Sequence, residues 1–393
     1  MTRSHEAMIG SVLEGFRERF AGTDGVTVVM APGRVNLIGD HTDHNDGFVL
    51  PMTIDRGIYV AIRPRNDRNV RVASMRYDEL AETKLGEFEA PEPGSWQSYV
   101  LGVVEELRLR GLLRGGFDAV IDGNLNLGAG LSSSAALEVA TAVALREVAG
   151  FDINDVDLVT MCQHVEHKYA HVLCGIMDQF ACGLGRSGFA LMLDCRSLDY
   201  EHVPIALGDY RIVIISSEVS RSLASSAYNT RRAECQAGVE YFAQFDESIR
   251  ALRDVSTELF DIRSDGLTPV VHRRCRHVLT ENQRVLEATE SLKAGDLQRF
   301  GELMTASHRS MRDDFEASCG EIDLLVENAN GTDGVLGSRM TGGGFGGCTV
   351  TLAHKDAVAL LVDSLTEYTK NTGLNPGVFV LEKNLEAGHV EPL

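Results

Sequence analysis

Hydrophobic and polar positions follow two periods along the chain, and each period predicts a type of element. Short runs rich in β-branched or aromatic residues and bounded by turn residues are typical of strands. Longer stretches with apolar residues three or four positions apart, and charges opposite, indicate amphipathic helices. In the first half these patterns predict strands at residues 26–30, 57–63 and 117–121, and helices at residues 96–110 and 132–148.

The second half returns to strands after a series of helices. Strands at residues 189–193 and 211–216 flank a polar stretch, 194–209, which we interpret as the passage between two domains. Helices are predicted at 227–242, 272–289, 296–312, 322–328 and 356–370, and strands at 348–352 and 377–382. This order favours an α+β second domain. Because 393 residues exceed the usual size of one core, we expect two domains, residues 1–200 and 201–393.

Composition narrows the class of protein. A net charge of -20 opposes nucleic-acid binding, which depends on Lys and Arg displacing counterions from phosphates. The eight cysteines lack the paired spacing of metal sites and favour reduced thiols. The first 20 residues are charged throughout, unlike a signal peptide, and no apolar run is long enough to span a membrane. We expect a cytoplasmic protein with neither nucleic-acid nor membrane partners.

Two glycine-rich segments are candidates for contact with a ligand. Residues 127–136 read LGAGLSSSAA and lead into a predicted helix, so backbone N–H groups and the helix dipole could hold a phosphate. The same residues could instead form an ordinary glycine turn followed by a serine that caps the helix. Residues 340–348, MTGGGFGGC, contain G-x-G-x-x-G, but a predicted strand follows rather than the helix of a dinucleotide site. These glycines indicate a backbone packed closely against a ligand or a neighbouring loop.

Charged residues in turn-rich or apolar surroundings are the other candidates. Residues 31–45 place Arg34 near two aspartates and two histidines, which could bind a polyol or form a solvated loop. Asp178 lies among apolar residues, so its carboxylate must be paired, functional or a helix cap. Histidines 164, 167 and 171 share one helix face, and we favour a structural or exposed role for them over metal binding. Trp96 could lie in the hydrophobic core or stack its ring on an adenine base.

In this order and spacing, these segments resemble the galactokinase branch of the GHMP kinase superfamily, which includes homoserine, mevalonate and phosphomevalonate kinases. The sugar signature is residues 33–51, the phosphate loop 128–136 and the third motif 341–349, with further likeness at 174–180 and 222–232. The resemblance implies an α+β, two-domain fold. It pairs an N-terminal domain like ribosomal protein S5 domain 2 with a ferredoxin-like C-terminal domain, and places the active site between them.

The resemblance also implies an activity and assigns roles. It implies transfer of the γ-phosphate of MgATP to the C1 hydroxyl of D-galactose. Separately, we expect the protein to be a monomer. Asp178 would face that hydroxyl as base or orienting group, and Arg34 would pair with Asp178 and face the phosphate. Glu166 and Ser134, with Ser133 as a close alternative, would bind Mg²⁺. Galactose would contact Asp40, His41, Asp43, Gly175 and Tyr228, and ATP would contact Trp96, Gly128, Ala129, Gly130, Leu131, Ser132, Ser133, Ser134 and Ala135.

Two positions depart from the family pattern, which usually reads Gly-Glu-His-Thr-Asp-Tyr. Asp40 is one methylene shorter than the Glu expected to hold the C6 hydroxyl, so we expect relaxed selectivity at C6. His44 replaces Tyr and predicts mild pH sensitivity near neutrality. Two alternatives stay open. One is a related sugar 1-kinase acting on N-acetylgalactosamine, arabinose or galacturonate, and the other is a non-catalytic sensor of ATP and galactose.

Overall fold

The computed structural model describes residues 3–125, 130–219, 224–381 and 384–390. Its strands are β1 (Thr27–Asn36), β2 (Phe48–Val49), β3 (Pro51–Pro64), β4 (Asn69–Ser74), β5 (Glu79–Lys84), β6 (Phe117–Gly123), β7 (Phe189–Asp194), β8 (Tyr200–Pro204), β9 (Tyr210–Ser216), β10 (Val335–Thr341), β11 (Cys348–His354), β12 (Gly377–Leu381) and β13 (Gly388–His389). Its α-helices are α1 (His5–Phe20), α2 (Trp96–Leu109), α3 (Ser133–Ala149), α4 (Asp155–Tyr169), α5 (Met177–Leu184), α6 (Ala224–Phe242), α7 (Thr257–Arg263), α8 (Pro269–Ala294), α9 (Leu297–Asp313), α10 (Gly320–Asn330) and α11 (Val358–Thr372).

The first half is built on a six-stranded sheet with the order β13-β1-β3-β6-β4-β5. Alternate residues of a strand face opposite sides, so each side of β1 meets a different layer. Val28 and Met30 pack with the apolar face of α1. Val29 and Ala31 pack in the larger core, to which α2, α3, α4 and α5 contribute. The sheet therefore lies between one helix and a layer of four.

The second half is built on an antiparallel sheet with the order β10-β11-β9-β12. Val213 and Ile215 of β9 pack against α10 and α11. On the other face, Ile212 and Ile214 share the large core with residues of α8 and α9. That core also contains the helix layer of the first half, so apolar packing is continuous between the two halves.

The sequence patterns predict this architecture well, with one correction. The fold class is confirmed, and the predicted strands and helices are present with ends shifted by a few residues. Residues 194–209, interpreted as the passage between the domains, also contain a strand that the sequence patterns did not predict, because β8 lies inside this stretch and pairs back onto β7. β13 pairs with β1, so the C-terminal tail returns to the first sheet. A division near residue 200 stays a prediction. Among the residues described, no helix combines the length and apolar character needed to cross a bilayer.

Candidate active site

A cavity of about 230 Å³ gathers most of the residues predicted to bind substrate or act in catalysis. Its lining includes Arg34, Asp40, His41, Asp43, Glu166, Gly175, Asp178 and Tyr228. These residues come from β1, the loop after it, α4, the start of α5 and α6. Gly342 and Gly343 of the second glycine-rich segment also line the cavity, so that segment does approach the candidate ligand site.

Asp178 is held by two partners and still faces the cavity. Arg34 donates to Asp178 Oδ1 from Nε at 2.8 Å and from Nη2 at 2.5 Å. Ser132 Oγ donates to Asp178 Oδ2 at 2.6 Å. The Arg34 side chain is only 4% exposed, whereas that of Asp178 is 27% exposed. The carboxylate is therefore fixed in orientation, with room for a further hydrogen bond from a ligand.

Ser132 does not act as the ordinary serine cap that is the alternative explanation of this segment. It occupies the N-cap position of α3 with φ 59° and ψ 47°, in the left-handed region, and its side chain makes no cap hydrogen bond. Non-glycine residues in this region are uncommon and cluster at functional sites, because the surrounding structure must hold them there. Here the conformation directs the Ser132 hydroxyl to Asp178 instead of to the helix N-terminus.

Asp43 and Gly175 are fitted to each other at the cavity wall. A Cβ atom built on Gly175 would lie 1.8 Å from Oδ2 of Asp43, so only glycine is compatible with this approach. The Asp43 Oδ1 atom accepts a hydrogen bond from the His44 backbone N–H at 2.9 Å. Burial, and secondly the nearby charge of Asp178, raise the pKa of Asp43 to about 7.

Asp40 is buried and satisfied largely by protein groups. Its Oδ1 accepts from Asn36 Nδ2 at 2.9 Å and from the Gly342 backbone N–H at 3.1 Å. Its Oδ2 lies 2.6 Å from Nη2 of Arg339, whose side chain is fully buried. Burial raises the pKa of Asp40, and the positive charge of Arg339 opposes that rise. Sequence reasoning missed Arg339, although it directly precedes the second glycine-rich segment.

His41, Tyr228 and Phe315 form an aromatic wall beside the cavity. The His41 ring centroid lies 5.2 Å from that of Tyr228 and 4.5 Å from that of Phe315. His41 Nε2 lies 3.2 Å from the Gly343 carbonyl oxygen, to which it can only donate.

Burial lowers the pKa of His44 to about 3, with Arg232 adding to the effect. The expected pH sensitivity of His44 near neutrality is therefore wrong, since its ring is neutral there.

A second cavity, of about 260 Å³, opens at the N-terminus of α3. Trp96, Tyr77, Ser133 and Ser134 are among its lining residues. The Trp96 indole N–H donates to Glu79 at 2.7 Å, and its ring lies nearly parallel to that of Tyr77. The Trp96 ring is part of the core and also borders this cavity, and its contact with adenine stays a prediction.

The phosphate loop is described only in part. Gly128 and Ala129 lie outside the described residues. Gly130 O accepts from Arg34 Nη1 at 2.7 Å, and Leu131 O accepts from the Arg34 backbone N–H at 3.3 Å. The side chains of Leu131 and Ala135 are buried in the core, so these residues could offer a nucleotide only backbone groups.

Ser134 and Glu166, the predicted Mg²⁺ ligands, are neighbours. Ser134 Oγ donates to Glu166 Oε1 at 3.1 Å, and Gln179 Nε2 donates to Glu166 Oε2 at 2.7 Å. Burial, followed by the charge of Asp178, raises the pKa of Glu166 to about 7. A hydroxyl beside a carboxylate fits Mg²⁺, which typically takes few protein ligands and completes its shell with phosphates and water. Glu138 and Gln179, buried behind Glu166, were missed by sequence reasoning.

The three histidines predicted to share a helix face do not converge on a common site, and His171 lies beyond the end of α4. His164 lies 3.7 Å from Glu106, His167 Nε2 lies 2.8 Å from the Cys174 carbonyl oxygen, and His171 lines the first cavity. The described part of the chain holds no cluster of three or more His, Cys, Asp or Glu residues suited to a metal. A metal at the second cavity would therefore depend on ligands from the nucleotide as well as from the protein.

Comparisons with known proteins agree with this geometry. The family model described as the galactokinase galactose-binding signature matches residues 14–64. Models of the GHMP kinase N-terminal and C-terminal domains match residues 98–186 and 288–371. The structure of Lactococcus lactis galactokinase complexed with galactose is 37% identical, covers 97% of this chain and 99% of its own, and superimposes with a TM-score of 0.92.

More distant kinases share the fold. Methanococcus jannaschii mevalonate kinase is 16% identical, with 93% of this chain and 99% of that chain covered and a TM-score of 0.67. A D-glycero-D-manno-heptose 1-phosphate kinase from Bacteriodes thetaiotaomicron is 15% identical, with 93% and 99% covered and a TM-score of 0.62. The identity and coverage of the lactococcal match, together with the sugar-signature match, show that the chain belongs to the galactokinase family of the GHMP kinases.

Proposed function

We propose that the protein transfers the γ-phosphate of MgATP to the C1 hydroxyl of D-galactose. One observation carries the proposal: Asp178, fixed by Arg34 and Ser132, lies where the cavity of the sugar signature meets the start of α3. A sugar hydroxyl in the first cavity and a phosphate at the helix N-terminus would both be within reach of this pair. Galactose as substrate also rests on the likeness to the lactococcal enzyme.

Phosphoryl transfer depends mainly on positioning and on stabilising charge, because the transition state is loose. In the proposed reaction Asp178 accepts the hydrogen bond, and then the proton, of the attacking hydroxyl. The Arg34 and Ser132 contacts keep the carboxylate in one orientation, so little reorganisation is needed during the reaction. The buried guanidinium of Arg34, paired with Asp178, would stabilise negative charge on a phosphate transferred beside that carboxylate.

The nucleotide would bind across the start of α3. The first N–H groups of a helix have no partner within it and favour anions. Ser134 and Glu166 would hold Mg²⁺, which supplies neutralisation of phosphate charge when bound. Trp96 and Tyr77 offer apolar ring surface to the base in the second cavity. This arrangement predicts that the nucleotide and the sugar approach Asp178 from different cavities.

Sugar selectivity would depend on both aspartates of the sugar signature. Asp43 is free to accept hydrogen bonds from hydroxyls, whereas Asp40 is already bound to Asn36, Gly342 and Arg339. A short carboxylate held in this way has little reach toward a C6 hydroxyl. We therefore propose a galactose site with weak selection at C6.

The first test is ADP release by purified protein with MgATP, with and without D-galactose. Parallel assays with arabinose, N-acetylgalactosamine, galacturonate and glucose establish which sugar is preferred. Turnover of ~1–100 s⁻¹ that depends on galactose and exceeds that of the other sugars supports the proposal. A preference for another sugar would assign the protein to a different sugar 1-kinase, and binding without turnover would indicate a sensor.

Two variants connect the activity to the site. Asp178→Asn keeps the shape of the side chain but removes its basicity, so kcat should fall by ~10²–10⁴ while galactose still binds. Asp333→Asn, at an exposed position, is the matched control and should keep wild-type rates. Near-normal turnover of Asp178→Asn would refute the role of Asp178.

We also propose that the enzyme is a cytoplasmic monomer, and light scattering on the purified protein tests the oligomeric state.

A further inference from the structure

Helix α8 presents three buried polar side chains to the backbone of the loop formed by residues 39–48, which we call the sugar loop. His277 Nε2 lies 3.1 Å from the Asp40 carbonyl oxygen. The Gly39 backbone N–H donates to Glu281 Oε1 at 2.9 Å. The Phe48 backbone N–H donates to Asn282 Oδ1 at 3.0 Å. The contacts reach both ends of the loop, although α8 lies more than 220 residues further along the chain.

The carboxylate of Glu281 has a complete set of partners despite full burial. Arg284 Nε donates to Glu281 Oε2 at 2.7 Å, and Ser307 Oγ donates to Oε1. Arg339 Nη2 lies 4.0 Å from Glu281 and 2.6 Å from Asp40, so one guanidinium lies between the two carboxylates. Burial raises the pKa of Glu281, but Arg284 and then His277 outweigh it and hold the pKa at about 2.

Such a cluster is poorly explained by stability alone. Removing charges from water is costly, and apolar side chains of similar size often stabilise a protein as well or better. The sugar loop, in contrast, needs specific acceptors for the backbone N–H groups of Gly39 and Phe48, and the side chains of Glu281 and Asn282 supply them. The fit is close: a Cβ atom on Gly47 would lie 2.3 Å from Asn282 Oδ1, and one on Gly39 would lie 2.7 Å from Val285.

We propose that Glu281 and Asn282 are positioning residues that hold the sugar loop in its binding conformation. They accept hydrogen bonds from backbone N–H groups of the loop, while Asp40 and Asp43 of the same loop line the cavity. A loop that is already ordered loses less conformational entropy when a ligand binds. The inference rests on the proposed function, since it takes the first cavity as the sugar site.

Kinetics of Glu281→Gln and Asn282→Ala test the proposal, with Glu290→Gln on the exposed side of α8 as the control. Glu290 is 74% exposed and pairs with Lys293 of its own helix, so its variant should match the wild type. For both test variants we expect KM for galactose to rise about tenfold, which corresponds to ~1.4 kcal/mol of binding free energy. We expect kcat within about threefold of wild type and an unchanged KM for MgATP, because α3 is untouched. Asn282→Ala changes no charge and keeps the test available if Glu281→Gln folds poorly.

Amide hydrogen exchange provides a readout that does not depend on turnover. Peptides that cover residues 37–50 should exchange about tenfold faster in both variants, whereas peptides from α3 and β9 should match the wild type. Unchanged exchange of the sugar loop with unchanged KM would overturn the proposal. Faster exchange throughout, with kcat and both KM values altered together, would also overturn it, because a purely structural role predicts that result. A wild type inactive with galactose would reject the proposed function, while the exchange data would still decide how the loop is held.

Discussion

Replacing Asp43 with Asn should make the protein more stable at neutral pH while it damages the proposed sugar site. The partly buried carboxyl of Asp43 lies near Asp178, and its pKa is raised from 3.8 to about 7, mainly by burial. Between those two values the folded state holds a proton that the unfolded chain has released. Stability contributed at this site is therefore lost as the pH rises from about 4 to about 7, and the penalty is constant above that.

The size of the stability change follows from the shift in the pKa of Asp43. A rise of about three pKa units corresponds to ~4 kcal/mol between the two protonation states. Because Asp43 is only partly buried and water in the cavity screens its charge, we expect about half of this, ~2 kcal/mol, at pH 8. Asn has nearly the same shape and can still accept the hydrogen bond from the His44 backbone N–H. The substitution should thus remove the penalty without opening a cavity.

Urea denaturation of the wild type and of Asp43→Asn, without ligand, measures the effect between pH 5 and pH 8.5. The difference in free energy of unfolding should already favour the variant at pH 5, because the loss begins near pH 4, and it should grow with pH and level off above pH 7. Asp333→Asn serves as the exposed control. Parallel curves for Asp43→Asn and wild type over the whole range would refute the reasoning, since they would mean that Asp43 titrates alike in the folded and unfolded states.

Two further substitutions address the metal and the sugar. Glu166→Gln removes the charged oxygen beside Ser134, so the Mg²⁺ concentration for half-maximal rate, measured at saturating ATP, should rise by ~10–100-fold; an unchanged requirement would exclude Glu166 as a ligand. Asp40→Glu adds one methylene at the buried acid beside Arg339 and should extend the carboxylate toward the sugar. The ratio of kcat/KM for galactose over 6-deoxygalactose should increase about tenfold, and an equal ratio in both proteins would disprove the C6 assignment.

Local patterns in the sequence predicted the parts of the site that depend on neighbouring residues. The glycine and serine run before a helical pattern indicated the start of α3, and an isolated Asp178 among apolar residues indicated a carboxylate that is paired, functional or a helix cap, of which the structure shows the pairing. Pairing of Asp178 with Arg34, 144 residues away, came from the family resemblance rather than from spacing. Features that depend on neighbouring residues could therefore be predicted from the sequence alone. Contacts between residues that are distant in the sequence could not.

The residues that sequence reasoning missed share a physical cause. Glu281 and Asn282 lie on a helix whose amphipathic pattern indicates only burial of one face, and a buried polar residue there gives no sign of its partner. Their partners are backbone N–H groups of Gly39 and Phe48, which every sequence contains at each non-proline position. Arg339 was missed because a strand pattern does not reveal that two carboxylates approach the same guanidinium. Long-range polar contacts of this kind need coordinates.

Ser132 shows how a reasonable local rule fails at a functional position. Serine before a helix favours capping, because its hydroxyl can accept a hydrogen bond from a free N–H group. In this protein the left-handed backbone of Ser132 directs that hydroxyl to Asp178, and Ser132 makes no side-chain cap hydrogen bond to the first turn of α3. Uncapped N–H groups at a helix start favour an anion. The same conformation therefore fixes the candidate base and leaves the helix N-terminus available to a phosphate, which is the combination that phosphoryl transfer at this site requires.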